Sequence, residues 1–560
     1  IGEAGAGNTA ENGGGIHNFA GTTTVEASTV ISNSATDGGG IYSYSGTTMV
    51  DASTVVSNTS SDDGGGIYIQ DGSATVKAST VSANIAADSG GGIYNHATLN
   101  VQDGSIIGGA GASNTAIYGG GIYNFSGQTT VDSSTVSGNE ATYGAGIYSH
   151  YVATLTVQNG STIGGAGAGN TATSYGGGIY NGSDGTTTVD ASTVSANTAT
   201  HGGGIYNDAE PVAQNGSTSS ILASALLNVQ NGSTIGGAGA GNTASINGGG
   251  IFNFHGTTIV DGSAVISNMA THGGGIFNFH GTTTVDGSTV ISNIVIWNGG
   301  GINNDDGTTT VYDSIVSTNT AYDGGGIYNS DTLNVTNSII GGAGAGNTAT
   351  GYGGGIFNQY GATTVQGSTV SANTAVDGGG IYNSCTYCGT VRVDGNNANA
   401  IPTSLGGGIY NDAIDTAASA GGIINLATVN ISNSTIGGVG AGNTATGNGG
   451  GIYNGYEFTM QVIGSRILHN TALNGGGVFS RRNIAGETSV TGSCIVGNSD
   501  ISFFNDLAVQ QTATGNWWGA AGGPGAPGAD TVGGPVDTSG YLNSPILGCD
   551  FYVHLPIVLR

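Results

Sequence analysis

The residues able to do chemistry in this 560-residue chain are few, and they fall at repeated positions. Asp37, Asp62, Asp63 and Asp88 precede a glycine triplet in three successive copies of one sequence unit. Oxygen donors on flexible turns suit calcium, and stacked like charges are costly unless bridged or screened. This acidic corner is therefore the candidate calcium site. Its spacing departs from the GGxGxDxUx calcium repeat, and a solvated acidic edge is the plainer reading. Asp261 and Asp286 occupy equivalent positions of adjacent units, so stacking would set them about 5 Å apart, a glycosidase-like separation. A repeat supplies that distance without catalysis. His255 and His280 are related in the same way, and metal binding would want three or four converging ligands.

Four cysteines complete the inventory. Cys385 and Cys388, in CTYC, suit a small disulfide closing a loop, and Cys494 with Cys549 could staple a C-terminal cap to the last coil. Six Lys plus Arg stand against 34 Asp plus Glu, a net charge of −28. That balance argues against nucleic acid as a partner, because such binding needs clustered cations. It also repels anionic membranes and polysaccharides. No apolar run approaches the length of a membrane span. The few cations are scattered, so no basic groove for cleaving acidic polysaccharides is predicted. The chain reads as non-catalytic, with no cofactor beyond the candidate calcium.

What positions these residues is repetition. GGG followed by Ile and an aromatic residue, with minor variants, recurs from Gly13 to Gly475, and ten of the sixteen intervals are 25 or 26 residues. One unit, GGGIFNFHGTTTVDGSTVISNIVIWN, divides into three short extended pieces bounded by turn residues. About 17 such repeats of about 25–26 residues predict an all-β, right-handed parallel β-helix with three strands per coil. The repeats occupy residues 1–498, with insertions near 208–226 and 412–425; residues 499–560, with Trp517 and Trp518, read as a cap and terminal apolar strand.

Stacked coils turn equivalent residues into columns. Ile276, Val285 and their equivalents are expected inside. Asn33, Asn58, Asn84, Asn197, Asn268, Asn293 and Asn373, among others before Thr-Ala, predict an amide ladder at one corner. An aromatic column follows the Ile: Tyr42, Tyr68, Tyr94, Tyr123, Phe252, Phe277, Tyr328 and Phe357. Alternation sends these rings outward. There they either stack on one another or offer a contact surface for sugars or a sister molecule.

The GGGI[YF]N units with STVSANTA between them resemble the GGAI-type repeats of bacterial surface proteins with right-handed β-helix passenger domains, the chlamydial polymorphic outer-membrane proteins among them. GNWWGAAGGPG, residues 515–525, is similar to the closing segment of many secreted bacterial β-helix proteins. YVHLPIVLR resembles the terminal strand of secreted proteins of filamentous green non-sulfur bacteria. The resemblance implies a secreted or cell-surface location.

The first words of the chain, IGEAGAGNTAENGGGI, match the middle of a repeat. A coil opening there would leave strand edges that invite another chain. Phe551, Val553, Leu555, Ile557 and Leu559 alternate on one face of the last segment and could complete a neighbour's coil beside Ile1. Head-to-tail self-assembly into an extracellular filament is the expectation. A monomeric adhesin that binds glycans or another cell surface is the alternative, and a polysaccharide-active β-helix enzyme the minor one.

Overall fold

The computed structural model describes residues 1–209, 224–342, 344–375, 378–384, 391–394, 397–399, 409–412, 429–437, 448–454, 459–480, 487–499, 501–506, 509–546 and 549. It is an all-β parallel β-helix of about 17 coils, with no helix among the described residues. The chain divides into two units, 1–320 and 321–560.

In the first unit each coil contributes a strand to three parallel sheets. These begin with Ile16–Phe19, Thr22–Glu26 and Thr29–Ile31 and end with Ile302–Asp305, Thr308–Tyr312 and Ile315–Ser317. Register is strict: Ile251 lies opposite Ile276, Val260 opposite Val285, and Val265 opposite Val290. The period-two pattern enforces it, since a slip of one residue would turn every buried side chain to solvent. Ile276, Val285 and Val290 are fully buried, as are their equivalents one coil earlier. In several coils a further short strand forms at the Asn-Thr-Ala corner, as at Ser34–Ala35 and Met269–Ala270, with Ala35 and Ala270 buried. It adds to the three strands expected per coil.

The corners are tight. An added Cβ at Gly250 would meet Gly275 O at 2.6 Å and Asn268 Nδ2 at 2.9 Å, so this position tolerates no side chain without displacement of the next coil. At another corner Ala27, Ala52, Ala78 and Ala191 adopt left-handed φ values of 45–48°. Gly262 and Gly287 take the same place in later coils.

In the second unit the same parallel pairing carries past residue 498. Phe503–Asn505 pairs with Val478–Ser480 and then with Val532–Gly533. Trp518 and Phe503 are fully buried, and Trp517 packs with Cys494, Val496 and Cys549. Cys494 and Cys549 form a disulfide, their Cα atoms 6.1 Å apart. Asp530 gathers this end, accepting from the Gly497 and Asn498 N–H groups, Asn498 Nδ2 and Ser502 Oγ.

Candidate functional site

Three columns hold the predicted site residues. At the Asn-Thr-Ala corner an unbroken amide ladder runs through the first unit, each Nδ2 donating to the Oδ1 one coil on at 2.9–3.1 Å, from Asn8 to Asn319. Asn33, Asn58, Asn84, Asn197, Asn268 and Asn293 all belong to it. Each Oδ1 also accepts the backbone N–H of the preceding rung, as Asn293 does from Asn268 at 2.9 Å. The second Nδ2 proton goes to a core-strand carbonyl, from Asn268 to Ile235 O at 2.9 Å. A carboxamide has both donors and acceptors, so a buried column of them satisfies itself. Asn347 bonds Asn373 in the same way in the second unit.

Two further ladders escaped the sequence reading. Among the described side chains the Asn that ends the Gly-Ile strand faces inward, and Asn181, Asn207, Asn253, Asn278 and Asn304 are linked at 2.7–2.8 Å. The Ser of the Ser-Thr-Val runs from Ser53 to Ser368 is also buried. Its Oγ accepts from the backbone N–H of the previous copy, as Ser288 does from Ser263 and Ser314 from Ser288, both at 3.0 Å. Strand alternation is the signal for both, because a residue two places from a buried Ile shares its face.

At the glycine corner, Asp62, Asp63 and Asp88 bring carboxylate oxygens within 4.8 Å of one another. Asp37 lies outside that group; its Oδ1 accepts the Asp63 N–H at 3.4 Å, as Asp63 Oδ1 accepts that of Ser89 at 3.0 Å. Burial first, then Asp62 and Asp88, pushes Asp63 up to about 7, and burial raises Asp37 as well. An all-oxygen donor set fits calcium. Asp37 and Asp63 also serve the fold by accepting backbone N–H groups, and Asp323 does the same for Tyr352 at 2.8 Å in the second unit. His255 and His280 stack ring on ring with centroids 4.9 Å apart, an arrangement that does not aim their nitrogens at one ion.

The aromatic column is covered rather than exposed. Tyr42, Tyr68, Tyr94 and Tyr123 stack with centroids 4.6–5.1 Å apart. Phe252 and Phe277 meet edge to face at 4.9 Å, and Tyr328 and Phe357 are tilted by 46° at 5.3 Å. Tyr42, Tyr68, Phe252, Phe277, Tyr328 and Phe357 are buried, while Tyr94 and Tyr123 are half-buried. The outward direction holds, but each ring is shielded by its copies, and these faces are not free for a large ligand. Cross-strand aromatic pairs of this kind stiffen a sheet by about 0.5–1.5 kcal/mol each.

Ile1 is engaged with its own chain: its ammonium donates to Thr29 O at 2.7 Å and its carbonyl accepts the Ile31 N–H. Ile16–Phe19 and Thr22–Glu26 pair in parallel with Ile41–Tyr44 and Gly46–Asp51. Cys385, Cys388, Phe551, Val553, Leu555, Ile557 and Leu559 lie outside the described residues, as do most of both predicted insertions.

Together, coils, ladders and stacks define a parallel β-helix. Comparison with known proteins finds no matching family model and no significantly similar curated protein.

Proposed function

We propose that the protein is a structural β-solenoid of the extracellular space, a non-catalytic scaffold whose polar residues serve chiefly to bond coil to coil. The carrying observation is the Asn ladder, unbroken from Asn8 to Asn319. The similarity of residues 515–525 to secreted β-helix proteins supports the location, as does the buried Cys494–Cys549 disulfide, which suits an oxidising compartment. Protease treatment of intact producing cells tests it. Digestion of the protein without cell lysis is expected, and protection until lysis contradicts the location.

A second reading, head-to-tail assembly, rests on the alternation of apolar residues in the last segment, Phe551, Val553, Leu555, Ile557 and Leu559, which suits a strand that adds to the sheets of a second copy. A sheet of a second copy is the partner proposed for that segment. Electron microscopy of the chain with and without residues 551–560 decides it. Fibres lost on truncation support assembly, and single particles in both samples contradict it.

A further inference from the structure

The phenols of the aromatic column have no part in the scaffold reading beyond packing, yet their order is specific. Tyr42, Tyr68, Tyr94, Tyr123, Tyr148, Tyr180 and Tyr206 form one run with successive ring centroids 5.0, 4.6, 5.1, 5.3, 4.4 and 5.2 Å apart. The run ends on His17 at one side and Phe252 at the other, neither of which loses an electron as readily as a phenol. Tyr118, Tyr143 and Tyr175 stack beside it, with Tyr118 against Tyr148 at 5.5 Å and Tyr175 against Tyr206 at 4.8 Å, so the path from ring to ring is branched. Rings in contact exchange an electron easily, since transfer weakens steeply with distance.

The hydroxyl partners distinguish the members. Tyr68 donates to the Gln70 amide oxygen at 2.7 Å, which is too weak a base to take a proton. Tyr180 is buried and donates to Asp208 Oδ2. A carboxylate is an ordinary proton acceptor, and an oxidised phenol is a strong acid. Loss of an electron from Tyr180 can therefore be completed by a short proton transfer along an existing hydrogen bond.

We propose that this tyrosine column is an oxidant sink, relaying a one-electron oxidation from ring to ring to Tyr180, where Asp208 takes the phenol proton. The co-reactant is a one-electron oxidant such as the carbonate radical, which gains the electron and becomes carbonate. The phenol O–H bond breaks, its proton moves to Asp208 Oδ2, and a neutral tyrosyl radical rests at Tyr180. The step requires no metal and leaves the fold unchanged.

The test treats the full chain with peroxynitrite in bicarbonate, which supplies carbonate radical together with nitrogen dioxide. Nitrogen dioxide adds to a tyrosyl radical at the carbon beside the oxygen; the hydrogen displaced there leaves as a proton and the phenol is restored. Peptide mapping of 3-nitrotyrosine then reads where the radical rested. In the unmodified protein, buried Tyr180 is expected to be nitrated above Tyr44 and Tyr312, which are 37% and 39% exposed. In Asp208→Asn, Tyr180 nitration is expected to fall about tenfold, the scale set by losing a hydrogen bond to a charged acceptor. Nitration ranked by exposure in the unmodified protein overturns the proposal, with no variant needed. Nitration at Tyr180 unchanged in Asp208→Asn overturns it as well.

Discussion

The Asn corner and the Asp corner of the first unit face the same task, one polar side chain stacked per coil, and they meet it differently. The amide column runs without a break from Asn8 to Asn319. The acid column does not persist. The register from Asn12 to Asp37 passes to Ser89, Tyr118, Tyr143 and Tyr175 and then to His201, Asn247 and His272. A carboxamide donates to one neighbour and accepts from the other, so each added rung improves the stack. A carboxylate only accepts, and each added rung brings another charge within a few ångströms. Where the acids do stack, Asp63 is pushed up to about 7, first by burial and then by the neighbouring charges of Asp62 and Asp88.

The sharpest way to break this contrast is to remove an amide. Asn268 Nδ2 donates to Ile235 O and Asn293 Oδ1, and its Oδ1 accepts from the Asn242 backbone and side chain. Asn268→Ala leaves buried partners unsatisfied and is expected to cost about 4 kcal/mol, measured as the shift in urea unfolding. Gly250→Ala comes next, at about 2–3 kcal/mol by the same measurement, because its methyl group meets the next coil's backbone. The one natural GAG corner keeps its third glycine, Gly146, the counterpart of Gly250, and carries Ala145 at the middle position.

The acid corner yields a smaller effect of opposite sign. The folded state holds the Asp63 proton more tightly than the unfolded chain does, with a value of about 7 against 3.8. Its stabilisation is thus full below the unfolded value and is lost as pH rises through about 7. The melting temperature is expected to fall between pH 5 and pH 8, and Asp63→Asn to flatten that fall. Asn keeps an oxygen for the Ser89 N–H, and the gain at pH 8 is about 1 kcal/mol after allowance for solvent screening. The smallest effect is at Ala52, with φ of 48°. Ala52→Gly relieves left-handed strain and should stabilise by about 0.5 kcal/mol, net of the backbone entropy of glycine.

Much of this was legible because a solenoid copies each decision. The spacing of GGGI words predicts the parallel register, and Ile276 and Val285 lie in the core where alternation puts them. The Asn before Thr-Ala was readable as a ladder because its column is nearly invariant among the copies. The Asn of GIFN was harder, since a polar residue at a strand end reads as a turn. Its burial makes sense only once Asn253 and Asn278 are seen to satisfy one another. The aromatic column was placed on the outer face, but its coverage depends on flanking columns, such as Tyr143 and Tyr175 beside Tyr148 and Tyr206, that no single repeat displays. The acid corner was legible as a charge cluster. Its backbone-capping role was not, because the bonds at Asp37 and Asp63 reach groups one coil away.

The central claim is that neutral amide ladders bind the coils while stacked acids loosen them. The most direct measurement compares urea unfolding of Asn268→Ala and Asp63→Asn at pH 8. The account predicts a lower midpoint for the first and a higher midpoint for the second. Shifts of the same sign, or an unchanged midpoint for Asn268→Ala, would contradict it.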